Sequence, residues 1–504
     1  MNSVAAPIRV AVLACLLLAL GLPGAASGLQ IHQQIQGPFA SAREVTVKCL
    51  ECHRQQGEDI LRSSHWTWVR QRTVNGKNVQ AGKKDSLAGF AIDVATNGPR
   101  CLRCHISISP QKEIFDRPAA ELVDCLACHD TTGLYRHAAS PSQGEAPDLV
   151  GVARAVGRPT PRNCTGCHFA DCGLAPKTEK GRGGSGLADV HLRATGPAFT
   201  CQTCHLSGSG HAISRQMKGG EGCASCHTAP HALELLNQHS RTISCQACHI
   251  PAYAKDAPVL IAWNWLMTGK TNTVFRAGSG AGRQLHDQNG FWSASDIEPV
   301  YRWDDTTDQA YTRGQKIQPQ ELTVLQQPAE KSASSRLAPF RVLYGTQLYD
   351  SKYRYLISPQ LQAEGEVLFP AGDWETIARK GMEAMVLPFS GQYGLAATAT
   401  YRRINHGVAP AAQALDCLDC HGTAGRMQWK MLGFEKDPML TPPASAPAAP
   451  APPQPQPVQQ PPPAAAMPQV AAPVTAAPQP SPPSPAGSVL PPAQEPAVPV
   501  GTGR

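Results

Sequence analysis

Cys223-Ala224-Ser225-Cys226-His227 and Cys245-Gln246-Ala247-Cys248-His249 repeat one pattern: two cysteines separated by two residues, with histidine directly after the second. The pattern recurs upstream as Cys49-Leu50-Glu51-Cys52-His53, Cys101-Leu102-Arg103-Cys104-His105 and Cys125-Leu126-Ala127-Cys128-His129. Cys164-Thr165-Gly166-Cys167-His168 and Cys201-Gln202-Thr203-Cys204-His205 follow, and Cys417-Leu418-Asp419-Cys420-His421 stands alone near the end. These eight motifs take up 16 of the 18 cysteines. Successive motifs begin 52, 24, 39, 37, 22, 22 and 172 residues apart.

Two thiols at this spacing lie on one helical turn, where they can add to the two vinyl groups of a single haem. The next residue then projects over the ring, and its imidazole becomes the proximal iron ligand. Zinc ribbons and redox dithiols also use paired cysteines, but neither requires a histidine after the second. Histidine is 17 of 504 residues, so its presence eight times out of eight is not accidental. The motifs therefore predict eight covalently bound haem c groups.

Organisation follows from the spacing. Residues 1–28 read as a signal peptide: Arg9 is followed by the apolar run Val10 to Leu20 and by small residues from Gly24 to Gly28. The run is short for a bilayer span. Cys15 lies inside it, and because the run continues past the cysteine a lipoprotein is the lesser reading. The mature chain is thus expected to be exported, soluble and periplasmic. Residues 29–250 hold seven motifs, too densely placed for a separate core around each haem, so the macrocycles themselves are expected to form much of the core. Gly-rich loops at 181–186 and 208–210 join short predicted helices. The fold class expected is mostly α: a loop-rich multihaem cytochrome c fold, short helices around stacked haems, with little sheet.

The segment 251–410 lacks motifs and is aromatic early on, at Trp263, Trp265, Phe291, Trp292, Tyr301 and Trp303. It reads as a cover for the haem stack and part of a subunit interface in a possible homo-oligomer. Asp373 is placed to cap a helix through Trp374, Ile377 and Met385, ending before Pro388. The eighth motif occupies 411–440. From 441 to 504 the chain has 22 prolines among 64 residues, a composition too poor in apolar residues to fold, and an extended disordered tail is expected.

The formal charge of +7 does not indicate nucleic acid. Each ferric haem with its two propionates contributes about −1, so eight of them bring the oxidised protein near neutrality. Lys83-Lys84 and Lys177, Lys180 and Arg182 form local basic clusters that could guide a small anion.

Nine histidines lie outside the motifs. Electron-transfer haems carry a second axial ligand, whereas a catalytic haem keeps that position for substrate. The distal candidates are His65, His191, His211, His231, His239, His286 and His406, with His32 and His137 in reserve. Seven ligands for eight haems leave one iron open; drawing on a reserve histidine instead gives eight doubly ligated irons and a pure electron carrier. Cys172 is the remaining thiol, either inert or placed to meet a sulfur substrate.

Segments between the motifs carry a family resemblance. They include Gln36-Gly37-Pro38-Phe39, Ser64-His65-Trp66-Thr67-Trp68, Cys128-His129-Asp130-Thr131-Thr132-Gly133-Leu134-Tyr135 and Asp189-Val190-His191. Asn163-Cys164 through Phe169, His249-Ile250-Pro251 leading to Trp263-Asn264-Trp265, Pro388-Phe389-Ser390-Gly391 and Ile404-Asn405-His406 complete the set. From about Gln36 to Gly422 the chain resembles the octahaem tetrathionate reductases, periplasmic relatives of hydroxylamine oxidoreductase and the multihaem nitrite reductases. The resemblance implies electron relay to one catalytic haem that reduces a small sulfur or nitrogen compound, anionic or neutral. It also implies a quinol-linked membrane protein or a soluble cytochrome as redox partner. In that family the catalytic haem belongs to the second motif, with lysine as proximal ligand. Here that position is His105, which becomes the candidate catalytic ligand, and histidine tunes the iron differently from lysine. No tyrosine follows Cys420, so the tyrosine cross-link of hydroxylamine oxidoreductases has no counterpart.

Overall fold

Between the seventh and eighth motifs the chain is built largely from β-strands. This computed structural model describes residues 31–440, except 75–76, 84, 88–91, 102–103, 109–117, 138–146, 169–187, 194–198, 206–210, 212–221, 229–230, 268–284, 289, 364–365 and 368–372. Strands β1 (Val69–Val74) and β2 (Lys77–Gly82) pair antiparallel after the first motif. The others follow the seventh motif: β3 (Val259–Asn264), β4 (Leu285–Gln288), β5 (Phe291–Ala294), β6 (Val300–Asp304), β7 (Asp308–Ala310), β8 (Thr323–Pro328), β9 (Arg336–Asp350), β10 (Gln362–Ala363), β11 (Glu366–Val367) and β12 (Tyr393–Arg403). Ten strands share one mixed sheet, ordered β2-β1-β7-β8-β12-β9-β3-β5-β4, with β6 on the first residues of β9.

A mostly α fold with little sheet is therefore the wrong expectation for this chain. The physical reason lies in the central strand. Along β9, Leu337, Ala338, Phe340, Leu343, Gln347 and Leu348 are all buried, so neither face is consistently polar. A strand covered on both faces loses the two-residue alternation that announces it in sequence. Several pairings are also parallel and remote: β12 runs beside β8 through Thr398↔Thr323, and β3 beside β9 through Ala262↔Tyr344. No local turn signal predicts such contacts.

The sheet has its own apolar core, which gathers Leu87, Ile92, Trp263, Trp265, Phe291, Leu325, Leu343 and Leu348. The Trp265 indole donates to Gln347 Oε1 at 2.7 Å, satisfying a polar pair at the centre. The helix expected after Asp373 is present as Trp374–Ala384, its first turn capped by the Asp373 carboxylate at Glu375 N, and Ile377, Ala378 and Met382 face inward. Thus the segment read as a cover is an apolar β-core with a helix packed on it.

This core holds two motifs in place. Asn97, directly before the helix Gly98–Cys101 of the second motif, donates to Pro359 O at 2.9 Å and accepts from Leu361 N at 2.9 Å. The seventh-motif helix Cys245–His249 docks on β9 and β6, through Ser244 N to Leu337 O at 2.9 Å and Tyr301 OH to Ala247 O at 3.3 Å. Among the described residues no helix is long and apolar enough to cross a membrane.

Candidate haem centres

The third, fifth and eighth motifs fold as single helical turns started by a side-chain oxygen. Asp124 caps Cys125–His129 by accepting from Ala127 N at 3.2 Å. Asp416 caps Cys417–Cys420, and Asp419 reaches back to Asp416 N at 2.9 Å. Thr200 and Thr203 form the equivalent reciprocal cap on Cys201–Cys204. A capped turn places both thiols on one turn, with the histidine at its end in the third motif and just beyond it in the fifth and eighth. At the first motif the helix Ala42–Arg62 departs from helical geometry at His53 itself (φ −111°, ψ 39°).

Seven motif histidines each face a histidine from elsewhere in the chain. The ring centroids are 6.2 Å apart for His53 and His32, 6.1 Å for His168 and His65, and 5.9 Å for His129 and His211. They are 5.9 Å apart for His205 and His406, and 6.2 Å for His227 and His191. For His249 and His231 the separation is 6.0 Å, and for His421 and His239 it is 6.5 Å. Two metal–imidazole bonds of about 2 Å each, plus about 1 Å from each nitrogen to its ring centre, span about 6 Å. The pairs therefore fit an iron between them.

Neighbouring groups orient several of these rings. His129 Nδ1 is 2.8 Å from Gly157 O and His239 Nδ1 3.0 Å from Leu235 O. His191 Nδ1 is 2.9 Å from Asp189 Oδ1, and His421 Nδ1 is 2.6 Å from Asp437 Oδ1. Engaging Nδ1 leaves Nε2 as the ligating nitrogen. Burial holds His65, His168 and His406 below the ordinary histidine value, which favours the neutral, ligating imidazole.

The motifs also touch in a definite order. The Cys49 and Cys125 thiols lie close enough to interact, as do those of Cys104 and Cys167, Cys164 and Cys201, and Cys223 and Cys245. Cys128 lies beside Cys164, Cys204 beside Cys226, and Cys248 beside Cys417. Numbered along the chain, the motifs thus form the series one, three, four, five, six, seven, eight, with the second motif branching from the fourth.

The second motif has different surroundings. His105 is 1 % exposed, its ring lies 5.4 Å from that of Trp66 and 4.8 Å from that of Trp68, and its Nε2 is 2.6 Å from Trp66 O. Burial pushes its pKa down to about 4. His137 holds Asp124 Oδ2 through Nδ1 at 2.5 Å and the His105 carbonyl through Nε2 at 2.6 Å.

A crystal structure of octaheme cytochrome c from Shewanella oneidensis matches with a TM-score of 0.71 and 35 % identity, over 81 % of this chain and 97 % of that one. The chain belongs to the multihaem c-type cytochromes. Two family models agree: "Cytochrome c554 and c-prime" matches residues 48–130, and "Cytochrome c bacterial" matches 260–424. No curated protein matches the cytochrome significantly. The second family match covers most of the sheet as well as the eighth motif, so the β-core is part of what the family shares. The cytochrome carries covalently bound haem c and transfers electrons.

Of the distal candidates, His65, His191, His211, His231, His239 and His406 each lie opposite a motif histidine of the cytochrome. His32, held in reserve because of its place near the start of the mature chain, lies opposite His53. Sequence order gave no sign of this, because the turn at 31–34 is brought back to the first motif only by the fold. His286 is on β4, paired with Ser293, and its side chain is outside the described residues. Lys83 lies near Cys104. Cys172, Lys84, Lys177, Lys180, Arg182, the signal-peptide residues and the tail from 441 all fall outside the described residues.

Proposed function

We propose that the chain is an exported, periplasmic cytochrome with eight haems, seven held between histidine pairs and the eighth, at Cys101, Cys104 and His105, reducing a small sulfur or nitrogen compound. The observation that carries this reading is the commitment of histidines. Seven non-motif rings stand about 6 Å from seven different motif histidines, while His137 has both nitrogens engaged by Asp124 and the His105 carbonyl. Bound haem supplies one-electron storage at iron and, where an axial position is open, a place for substrate.

The protein's part is to hold and orient. The capped turns fix the thiols, and the paired imidazoles define seven relay sites. Trp66 and Trp68 close around His105, whose Nε2 has to leave the Trp66 carbonyl to ligate iron, while Asn97 anchors the second motif to the β-core. The touching order of the motifs supplies a relay from the eighth motif through the seventh, sixth and fifth to the fourth, beside which the second branches. A quinol-linked membrane protein or a soluble cytochrome would supply the electrons. The leader-like run from Arg9 to Gly28 supports export.

Magnetic spectroscopy on the ferric holoprotein tests the proposal. One high-spin iron beside seven low-spin irons is expected, with an intact mass increment of eight haems. Eight low-spin irons, with His286 as the eighth distal ligand, would make this a pure electron carrier and end the catalytic reading. If high-spin iron is found, turnover of tetrathionate, nitrite, hydroxylamine and sulfite identifies the substrate.

A further inference from the structure

The proximal histidine of the eighth motif is hydrogen-bonded to a buried carboxylate. Asp437 Oδ1 lies 2.6 Å from His421 Nδ1, and its Oδ2 accepts from Gly422 N at 2.6 Å. Met439 N also donates to Oδ1, at 2.9 Å. The Asp437 side chain is 4 % exposed and that of His421 18 %. Backbone donors on both oxygens keep the carboxylate from rotating away, and burial limits solvent screening of its charge. Trp429 stacks on the His421 ring, centroids 5.1 Å apart and planes tilted by 22°. The proximal histidine of the third motif is held differently: His129 Nδ1 meets the neutral carbonyl of Gly157.

We infer that Asp437 is a redox-positioning residue, set to lower the reduction potential of the eighth haem. This rests on the reading of His421 as an iron ligand. A carboxylate accepting the Nδ1 proton makes the imidazole a stronger donor, and a stronger donor favours ferric over ferrous iron. A neutral carbonyl does so less. The eighth motif lies at one end of the touching series, away from the branch at the second motif. A lowered potential there favours passing an electron inward, once a one-electron donor protein has delivered it.

Potentiometric titration of the full holoprotein, followed by visible absorbance and electron paramagnetic resonance, tests the inference. Asp437→Asn keeps the shape but removes the charge. One of the one-electron transitions should move to higher potential by about tenfold in its equilibrium constant, about 59 mV for one electron. The others should stay in place. Asp437→Glu retains the carboxylate and should bring that transition back toward the wild-type value. Unmoved transitions in the Asn variant, or equal displacement of all of them, would overturn the inference. So would equal shifts in the Asn and Glu variants, or loss of one haem mass from both, since Asp437 would then serve folding or maturation. The wild-type haem mass and spin states test the ligand reading separately.

Discussion

His137 and Asp124 are joined through a 2.5 Å contact between Nδ1 and Oδ2, and this pair ties two haem motifs together. Asp124 also caps the third-motif helix, and the other nitrogen of His137 reaches the backbone carbonyl of His105 in the second. Tyr135 OH donates to the same Asp124 oxygen at 2.5 Å. One buried carboxylate thereby sets the distance between a helix start and a proximal ligand.

Replacing His137 with leucine keeps the volume but removes both contacts. The holoprotein should lose about 1–3 kcal/mol of unfolding free energy, the cost of leaving buried partners unsatisfied. Denaturant unfolding at constant haem content measures this, and a change within error of zero would show the bridge to be energetically idle.

The histidine pairs predict a spin-state change at one haem per substitution. In His65→Ala, the iron ligated by His168 should become high-spin while the other signals persist. Integration of the ferric spectrum against wild type reads this directly. An unchanged low-spin count would mean that His65 is not an axial ligand.

Asp189 links two relay sites. Its Oδ1 holds His191, opposite His227, and its Oδ2 accepts from Gly407 N and Val408 N, next to His406, which faces His205. Asp189→Ala should perturb the low-spin signals of two haems together and lower stability by about 3 kcal/mol, as expected for loss of buried charge-assisted hydrogen bonds. A change confined to one haem would separate the two sites.

Asp93 and Arg313 supply a pH test in the β-core. Burial raises the Asp93 carboxyl from 3.8, and the guanidinium opposes this through contacts of 3.0 and 2.8 Å. A folded-state value above the unfolded one means that the native state holds the proton more tightly. Its contribution to stability is therefore present at low pH and declines as pH rises from 3.8 through the raised value. Arg313→Met removes the opposing charge, so the window should widen upward. At neutral pH the variant should lose about 3 kcal/mol, the lower end for a broken buried pair because Arg313 is partly exposed. Melting curves across acid to neutral pH should converge with wild type at the acid end; a constant offset would refute the assignment.

Which chemistry the chain carries was legible in its residues. Eight cysteine pairs with an adjoining histidine need no tertiary information, because two thiols and an imidazole on one helical turn form a local attachment unit. The helix after Asp373 was equally local, set by its cap and by apolar spacing. The sheet was not: β9 is buried on both faces, and β12 finds β8 only after the chain has crossed about seventy residues. The partners of the motif histidines belong to the same class, since His32, His211 and His406 reach their counterparts across very different sequence separations. Sequence specifies bonds made within a turn; which distant rings come to stand about 6 Å apart is decided by how the whole chain packs.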